Sequence, residues 1–403
     1  MISDKGYVMN KEFVNDCESS VAVSFSGISK LVIKKLLLLT VGGLVLWSVG
    51  TYPEVHGCTS WMVFSDLTKN NTNILHKNRD SVTRKVMVAL SSDSSPCRWV
   101  AQWSAGAAAG MNASGLAAVM NAGEICVDPP NVKGKKTTQN ILRGILESCD
   151  SAAQAVEKLR EIIAAGNYYH GKSGSIFLFM DSKEGFVCEI TAKVCSVQRY
   201  DSGYAVRSSN WRNHDMNKYI RSDIKRYLKA SVREYDAISG LNRLIDETGQ
   251  ISVSGIFDLS RQVKGQAISP IKRSVCGMST NSTATFEIDK QYPGVLSTAY
   301  LTVGPPRHTV YIPIPICVSR IPSAMKSLKW SSAAFKRLDK LQLDAPIPEE
   351  WTKFEKKSME QYAAAKVEAR KLLEQNKHDE AVKLLNSTAA DIWKRASVLL
   401  KIY

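Results

Sequence analysis

Residues 58–80 read CTSWMVFSDLTKNNTNILHKNRD. Two segments rich in apolar and β-branched residues, TSWMVFSD and NILHKNRD, flank the polar run TKNNTN, which is the pattern of a β-hairpin and its turn. Antiparallel pairing would bring the end of the second strand, Lys77-Asn78-Arg79-Asp80, back beside Cys58. One end of the hairpin would then hold a thiol, two cations and a carboxylate.

Beyond the hairpin, strands and helices follow one another in blocks. AQWSAGAAAGMNASGLAAVMNAGE predicts two short strands joined by a turn around 112–115. TTQNILRGILESC and SAAQAVEKLREIIAAG have helical spacing, and the second helix is bounded by Ser151 and Gly166. Further strands are predicted in SIFLFMD, GFVCEITAK, VCSVQRY and HTVYIPIPI and near 284–288 and 297–303, with another helix around 219–244. This order favours α+β layers over a doubly wound sheet.

The chain divides into a leader, a core and a tail. The apolar run Leu36–Gly50 follows three lysines and is short for a membrane span, which needs about 20 residues. It fits the apolar region of a signal peptide better, with a membrane anchor as the alternative. We therefore expect a leader, signal peptide or propeptide, over 1–57, a catalytic core over 58–322, and a charged, Ala/Leu-rich helical extension over 323–403.

Composition excludes several classes. The 403 residues are 44% apolar and 23% charged, which is ordinary for a globular protein. The net charge of +15 favours anionic partners, but no clustered basic run or aromatic-basic module indicates nucleic-acid binding. Neither HExxH nor CxxC is present, and we expect no metal or cofactor. The GxxxxGKS pattern at 166–173 lies after a predicted helix and before a predicted strand, the reverse of a phosphate loop.

Cys58 is the candidate nucleophile. Val55 and Gly57 occupy the third and first positions before it, where signal peptidase prefers small residues. Cleavage there would expose an α-amine with a reference pKa of about 7.7–8.0, a base beside the thiol. The alternatives are a buried or disulfide-bonded Cys58, a lipid-modified one, and a Cys–His protease with His214 or His308 as base. No papain-like signature surrounds Cys58.

Asparagines downstream are candidate oxyanion donors. Asn112 and Asn121 lie in GMNASGL and VMNAG, and Asn210 lies in SSNW. A side-chain amide is a neutral donor suited to a developing oxyanion, although a single asparagine is more often a turn residue.

Taken together, Cys58-Thr59, KNRD, GMNASGLAAVMNAG and SSNW resemble, in order and spacing, the cysteine N-terminal-nucleophile hydrolases. Within them, the chain is most similar to the choloylglycine hydrolases and the penicillin acyltransferase-like enzymes that act on linear amides. The resemblance covers about 58–315. It implies the α+β class, with a four-layer αββα sandwich of two antiparallel sheets between helices, and cleavage before Cys58.

The resemblance also implies roles for individual residues. Cys58 matches the nucleophile, and Asp80 matches the carboxylate that holds its α-amine. Lys77 stands where the bile-salt enzymes have arginine, which leaves either Lys77 or Arg79 as the activating cation. Asn210 matches the oxyanion asparagine, and Asn121 is a looser match for a second donor.

The function expected is an exported hydrolase or acyltransferase, periplasmic or extracellular, that cleaves linear amide C–N bonds through a thioester. The charged C-terminal helices resemble those of related cysteine dipeptidases, which keeps peptide hydrolysis open. A membrane-anchored binding protein without activity is the alternative of another class. The expected partner is a small-molecule amide or a short peptide. Residues 36–50 could associate with the membrane before processing, or throughout if the leader is retained. A homo-oligomer is also left open. The sequence does not decide between cleavage by signal peptidase and autoproteolysis.

The basic excess belongs to the core and tail. The leader contains five lysines and five acidic residues, so its removal leaves the net charge at +15. We expect this basic excess to bind an anionic surface or an anionic acyl substrate.

Overall fold

The fold is built on two antiparallel β-sheets that lie face to face between layers of helices. The computed structural model describes residues 57–91, 99–103, 107–221, 224–263 and 274–402, which form one compact unit. In spatial order, the first sheet contains β10 (Tyr204–Arg207), β1 (Thr59–Val63), β2 (Asn73–Asp80), β11 (Thr280–Ile288), β12 (Thr298–Thr302) and β13 (Ile312–Pro315).

The second sheet is a meander whose strands are adjacent in sequence order. They are β3 (Met87–Leu90), β4 (Trp99–Trp103), β5 (Ala107–Asn112), β6 (Ala117–Ile125), β7 (Ser173–Met180), β8 (Gly185–Ile190) and β9 (Cys195–Tyr200). Gly115 has a φ of +83° in the turn between β5 and β6, a conformation that glycine adopts without strain.

The helices lie in three groups. The first group, α1 (Thr138–Ser148) and α2 (Ala152–Ala164), covers the second sheet. The second, α3 (Ile224–Thr248) and α4 (Val253–Ser260), covers the first sheet, after a 3₁₀ helix at His214–Tyr219. The remaining helices are α5 (Pro293–Leu296), α6 (Ser323–Lys326), α7 (Lys329–Leu341), α8 (Glu349–Glu374) and α9 (His378–Leu399).

Three apolar clusters separate these layers. The central cluster joins side chains of both sheets, such as Leu75 and Val119. A second cluster packs Phe177 of β7 against the α1–α2 layer, and a third packs Trp61 of β1 against α3 and α4. The alternation of side chains along each strand sends successive residues to opposite faces, so each sheet contributes to two clusters. The predicted four-layer αββα arrangement is confirmed.

Local sequence signals explain where several elements begin and end. The hairpin is confirmed, with Ser60 opposite Lys77 and Thr59 opposite Asn78. Ser151 caps α2 by accepting a hydrogen bond from the backbone N–H of Gln154. The GxxxxGKS pattern connects α2 to β7, so no helix N-terminus follows it to face a phosphate.

The C-terminal helices pack onto the first sheet. Trp330, Tyr362 and Trp393 are buried in the central cluster. The predicted boundary at 322 stays a prediction, since residues on both sides of it share this cluster. Within the described residues, no helix combines the length and apolar character that a membrane crossing requires. The predicted leader, including the apolar run 36–50, lies outside the described residues except for Gly57.

Candidate active site

The hairpin places Cys58 beside the end of β2. Its side chain is buried, and its Sγ lies 4.0 Å from the backbone oxygen of Asp80. Because Ser60 pairs with Lys77 and side chains alternate, Cys58, Lys77 and Arg79 all face the second sheet. The structure thus brings the predicted nucleophile, both predicted cations and the backbone of Asp80 to one place.

Lys77 has no solvent exposure, and its ammonium group donates to the backbone oxygen of Met120 (2.5 Å) and to Oδ1 of Asn121 (2.7 Å). Burial lowers the pKa of Lys77 below its ordinary value, and the nearby Cys58 side chain acts in the opposite direction. The ammonium group is thus bonded to two oxygen acceptors of β6 and lies near Cys58.

Arg79 and Asp80 complete the end of β2. Burial also lowers the pKa of Arg79, and the nearby Cys58 side chain again acts in the opposite direction. Both candidate cations therefore lie within electrostatic range of Cys58. The Asp80 carboxylate accepts a hydrogen bond from the Thr280 hydroxyl of β11 at 2.6 Å, which fixes its orientation.

Asn121 connects four strands. Its Oδ1 accepts from Lys77 and from the Ser60 hydroxyl (2.9 Å), and its Nδ2 donates to the backbone oxygens of Arg207 (3.1 Å) and Ser208 (3.3 Å). Its amide hydrogens are engaged by carbonyl groups in this arrangement. In this state, the side chain orients Lys77 rather than presenting a free donor to an oxyanion.

Asn210 lies in the loop after β10 and is fully buried. Its Nδ2 donates to the backbone oxygen of Tyr227 (3.0 Å) and to the Ser231 hydroxyl (2.8 Å), both in α3. Its Oδ1 is buried without a hydrogen-bond partner among the described residues. As an oxyanion donor it would first have to exchange one of these contacts.

Sequence reasoning missed two residues at the site. The Ser208 hydroxyl donates to the backbone oxygen of Cys58 at 3.1 Å and accepts from the Arg233 guanidinium, from Nε at 3.3 Å and from Nη2 at 3.0 Å. Ser208 lies in the SSNW segment that pointed to Asn210, so its position was signalled although its role was not. Arg233 is one of several basic residues in a predicted helix, and nothing in the sequence singles it out.

His76, the residue before Lys77, was also not singled out. It points away from Cys58, stacks on Trp61 at a centroid distance of 4.1 Å and contacts Thr285 (Nδ1, 2.7 Å) and Asn78 (Nε2, 2.8 Å). No contact joins His214 or His308, the bases of the Cys–His alternative, to Cys58 in the described part of the chain. His214 is exposed, and burial lowers the pKa of His308 to about 4.

The described residues contain no group of three or more His, Cys, Asp or Glu side chains that could hold a metal ion. The polar groups of the candidate site are the thiol, the two cations, the Asp80 carboxylate and the surrounding amides.

The sequence matches the family model of the acyl-coenzyme A:6-aminopenicillanic acid acyl-transferases over residues 67–283, more than half of the chain. The chain belongs to this family. The predicted resemblance to the penicillin acyltransferase-like N-terminal-nucleophile enzymes is thereby confirmed, and with it the broad class of enzymes that hydrolyse or transfer the acyl groups of amides. The matched residues include Lys77, Arg79, Asp80, Asn121 and Asn210, whereas Cys58 precedes them.

Solved structures with a similar chain path include a bile acid hydrolase and a penicillin acylase. A variant of the conjugated bile acid hydrolase from Clostridium perfringens has 13% identity and a TM-score of 0.43, with 64% of this chain and 92% of that chain covered. The penicillin V acylase from Agrobacterium tumefaciens has 14% identity and a TM-score of 0.42, with 64% and 86% covered. No curated protein matches the sequence.

Proposed function

We propose that the chain is an exported hydrolase or acyltransferase that cleaves linear amide C–N bonds, with Cys58 as its N-terminal nucleophile after cleavage of the Gly57–Cys58 bond. The family supports the proposed substrate class, and the geometry of the site supports the proposed nucleophile. The small residues before Cys58 and the apolar run 36–50 support export.

One observation carries the assignment of the nucleophile: a fully buried lysine, Lys77, lies on the same face of the hairpin as Cys58. A lysine with no solvent exposure is costly unless an anion lies beside it. The Cys58 side chain lies close enough to influence the pKa of Lys77, and as a thiolate it would supply that anion. A structural cysteine would need no such cation, whereas a nucleophilic thiolate does.

The reaction then proceeds in two steps. The Cys58 thiolate attacks the amide carbonyl, the C–N bond breaks, and the leaving amine takes a proton through the α-amine of Cys58. Water, or an amine acceptor in acyl transfer, attacks the resulting thioester and restores the thiol. Lys77 stabilises the thiolate before each cycle, and the Asp80 carboxylate, fixed by Thr280, holds the α-ammonium group.

The oxyanion of each tetrahedral intermediate requires donors. Asn210 and Asn121 are the candidates from the sequence, and removing such a side-chain donor typically costs about 10²–10³ in rate. Both amides are engaged with protein groups while Gly57 is still attached. We infer that cleavage before Cys58 frees at least one of them.

The test begins with the N-terminus of the mature protein. Mass spectrometry should show a chain that starts at Cys58, and Cys58→Ala should retain the fold but lose activity toward a panel of linear amides and dipeptides. Cys276→Ala is the matched control, because burial raises the pKa of that thiol to about 12 and should keep it protonated. An active protein that retains Gly57 would overturn the proposal. Cleavage of dipeptides alone would favour the dipeptidase alternative, and an added amine acceptor would separate transfer from hydrolysis.

A further inference from the structure

Arg233 of α3 lies directly against the residue that precedes Cys58. Its side chain is buried, with 3% exposure. A Cβ atom placed on Gly57 would lie 2.0 Å from Nη2 of Arg233 and 2.6 Å from the Ser209 hydroxyl, which is closer than real Cβ atoms come to any neighbour. Gly57 therefore lies directly against the guanidinium, and a side chain at this position would have to displace Arg233 and Ser209.

The space that Gly57 occupies becomes part of the substrate site if the proposed function holds, and the inference rests on that function. Gly57 is the acyl part of the amide bond that would be cleaved before Cys58. Its removal leaves a volume that adjoins both reacting groups, the thiol and the new α-amine. The carbon next to the carbonyl group of an incoming substrate would enter this volume, under Arg233.

The guanidinium is suited to an anion at that position. Arginine remains charged at all working pH values and presents a planar set of N–H donors that matches a carboxylate. Hydrogen bonds to Ser208 fix its orientation, and Ser208 in turn contacts the backbone of Cys58. The neighbouring acid Glu234 forms an ion pair with Arg212 at 2.9 Å.

We propose that Arg233 is a specificity-determining residue that binds the carboxylate of a short, unbranched, anionic acyl group. This assigns part of the net charge of +15 to substrate recognition. A branch at the carbon next to the carbonyl would have to displace the guanidinium, which disfavours branched acyl groups. The guanidinium favours acyl groups that carry a negative charge one or two carbons further on.

A purely structural role makes a different prediction. If Arg233 only held Ser208, and through it Cys58, its replacement would slow all substrates by the same factor. A specificity role instead changes the ratio between charged and neutral acyl groups that share one leaving group. The ratio of kcat/KM values is therefore the decisive measurement.

The experiment compares succinyl and butyryl p-nitroanilides with protein whose N-terminal Cys58 has been verified. Wild type should prefer the succinyl amide by about 10- to 100-fold, the range for one hydrogen-bonded charge. Arg233→Met should reduce this ratio to near 1, and Arg233→Lys should retain part of it. Arg243→Met, on the same helix but in an exposed pair with Glu247, is the matched control and should leave the ratio unchanged.

The outcomes separate the two proposals. Three results would overturn the role of Arg233 alone. They are turnover of the butyryl amide without a succinyl preference, turnover of other amides but of neither anilide, and a succinyl preference that survives in Arg233→Met. A folded protein with N-terminal Cys58 that turns over no amide would overturn the proposed function and this inference together. Should Arg233→Met fail to fold, an unchanged ratio in Arg233→Lys would contradict the inference.

Discussion

Lys77 is the fully buried cation of the candidate site. We expect Lys77→Met to lower kcat/KM by about 10- to 100-fold, because a hydrogen bond to a charged group contributes about 1.5–3 kcal/mol. Alkylation of Cys58 by iodoacetamide at pH 7 should slow in parallel, since the variant lacks the cation beside the thiol. Lys158→Met removes an exposed lysine of α2 and is the control. Unchanged alkylation in Lys77→Met would show that the cation does not stabilise the thiolate.

His76 makes the stability of the fold sensitive to acid. Burial lowers the pKa of His76 from 6.5 to about 3, so the folded state keeps it neutral while the unfolded state takes up a proton below pH 6.5. Stability is therefore lost as the pH falls from about 6.5 towards 3, by up to about 1.4 kcal/mol per pH unit. In urea titrations, His76→Gln should reduce the loss between pH 6.5 and 4.5 by about 2 kcal/mol. His214→Gln, which removes an exposed imidazole, should have a smaller effect, and equal effects would contradict the assignment.

At the scale of elements, the β8–β9 pair brings two thiols together. Cys188 and Cys195 lie on one face, since Cys188 pairs with Val197 and Ile190 with Cys195. Burial raises the pKa of Cys188, and its hydrogen bond to Cys195 lowers the pKa of Cys195. Burial raises the thiol pKa values of Cys126, Cys149 and Cys276.

In a Cys58→Ser background at pH 8, peptide mapping should therefore find Cys195 alkylated before these four cysteines. The rate should fall when Cys188→Ala removes the donor. Faster labelling of Cys149, which lies near the same surface, would contradict this order.

The elements differ in how far the sequence could predict them. The alternation of apolar residues, with a polar turn between the two segments, was sufficient to predict the hairpin, because the contacts of a hairpin are local. The contact between Ser208 and Cys58 joins residues 150 positions apart, and Arg233 reaches Ser208 through the packing of α3 onto the loop after β10. No local pattern encodes such contacts. For the same reason, the sequence indicated Asn210 as a donor but could not predict that Tyr227 and Ser231 would accept from it.

At the scale of the whole molecule, the C-terminal helices are held to the core by buried ions. Arg261, which follows α4, binds Glu355 of α8 through two hydrogen bonds of 2.7 Å. The same carboxylate accepts from the backbone N–H of Tyr311. Two further ion pairs, Glu287–Lys366 and Asp289–Arg370, join α8 to the region of β11. The tail is thus tied to the strand that orients Asp80, since Thr280 is the first residue of β11.

Breaking the first of these pairs should destabilise the whole unit. Glu355→Ala leaves Arg261 charged and buried without its carboxylate, and we expect it to lower the free energy of unfolding by about 3–5 kcal/mol. The double variant Arg261→Met/Glu355→Leu should recover most of this loss, because apolar side chains of similar volume can replace a buried ion pair. Glu349→Ala, which breaks an exposed pair with Lys353 on the same helix, should change little. Urea denaturation measures the free energy of unfolding of all three variants. If Glu355→Ala lowers this free energy no more than Glu349→Ala does, the tail does not stabilise the core.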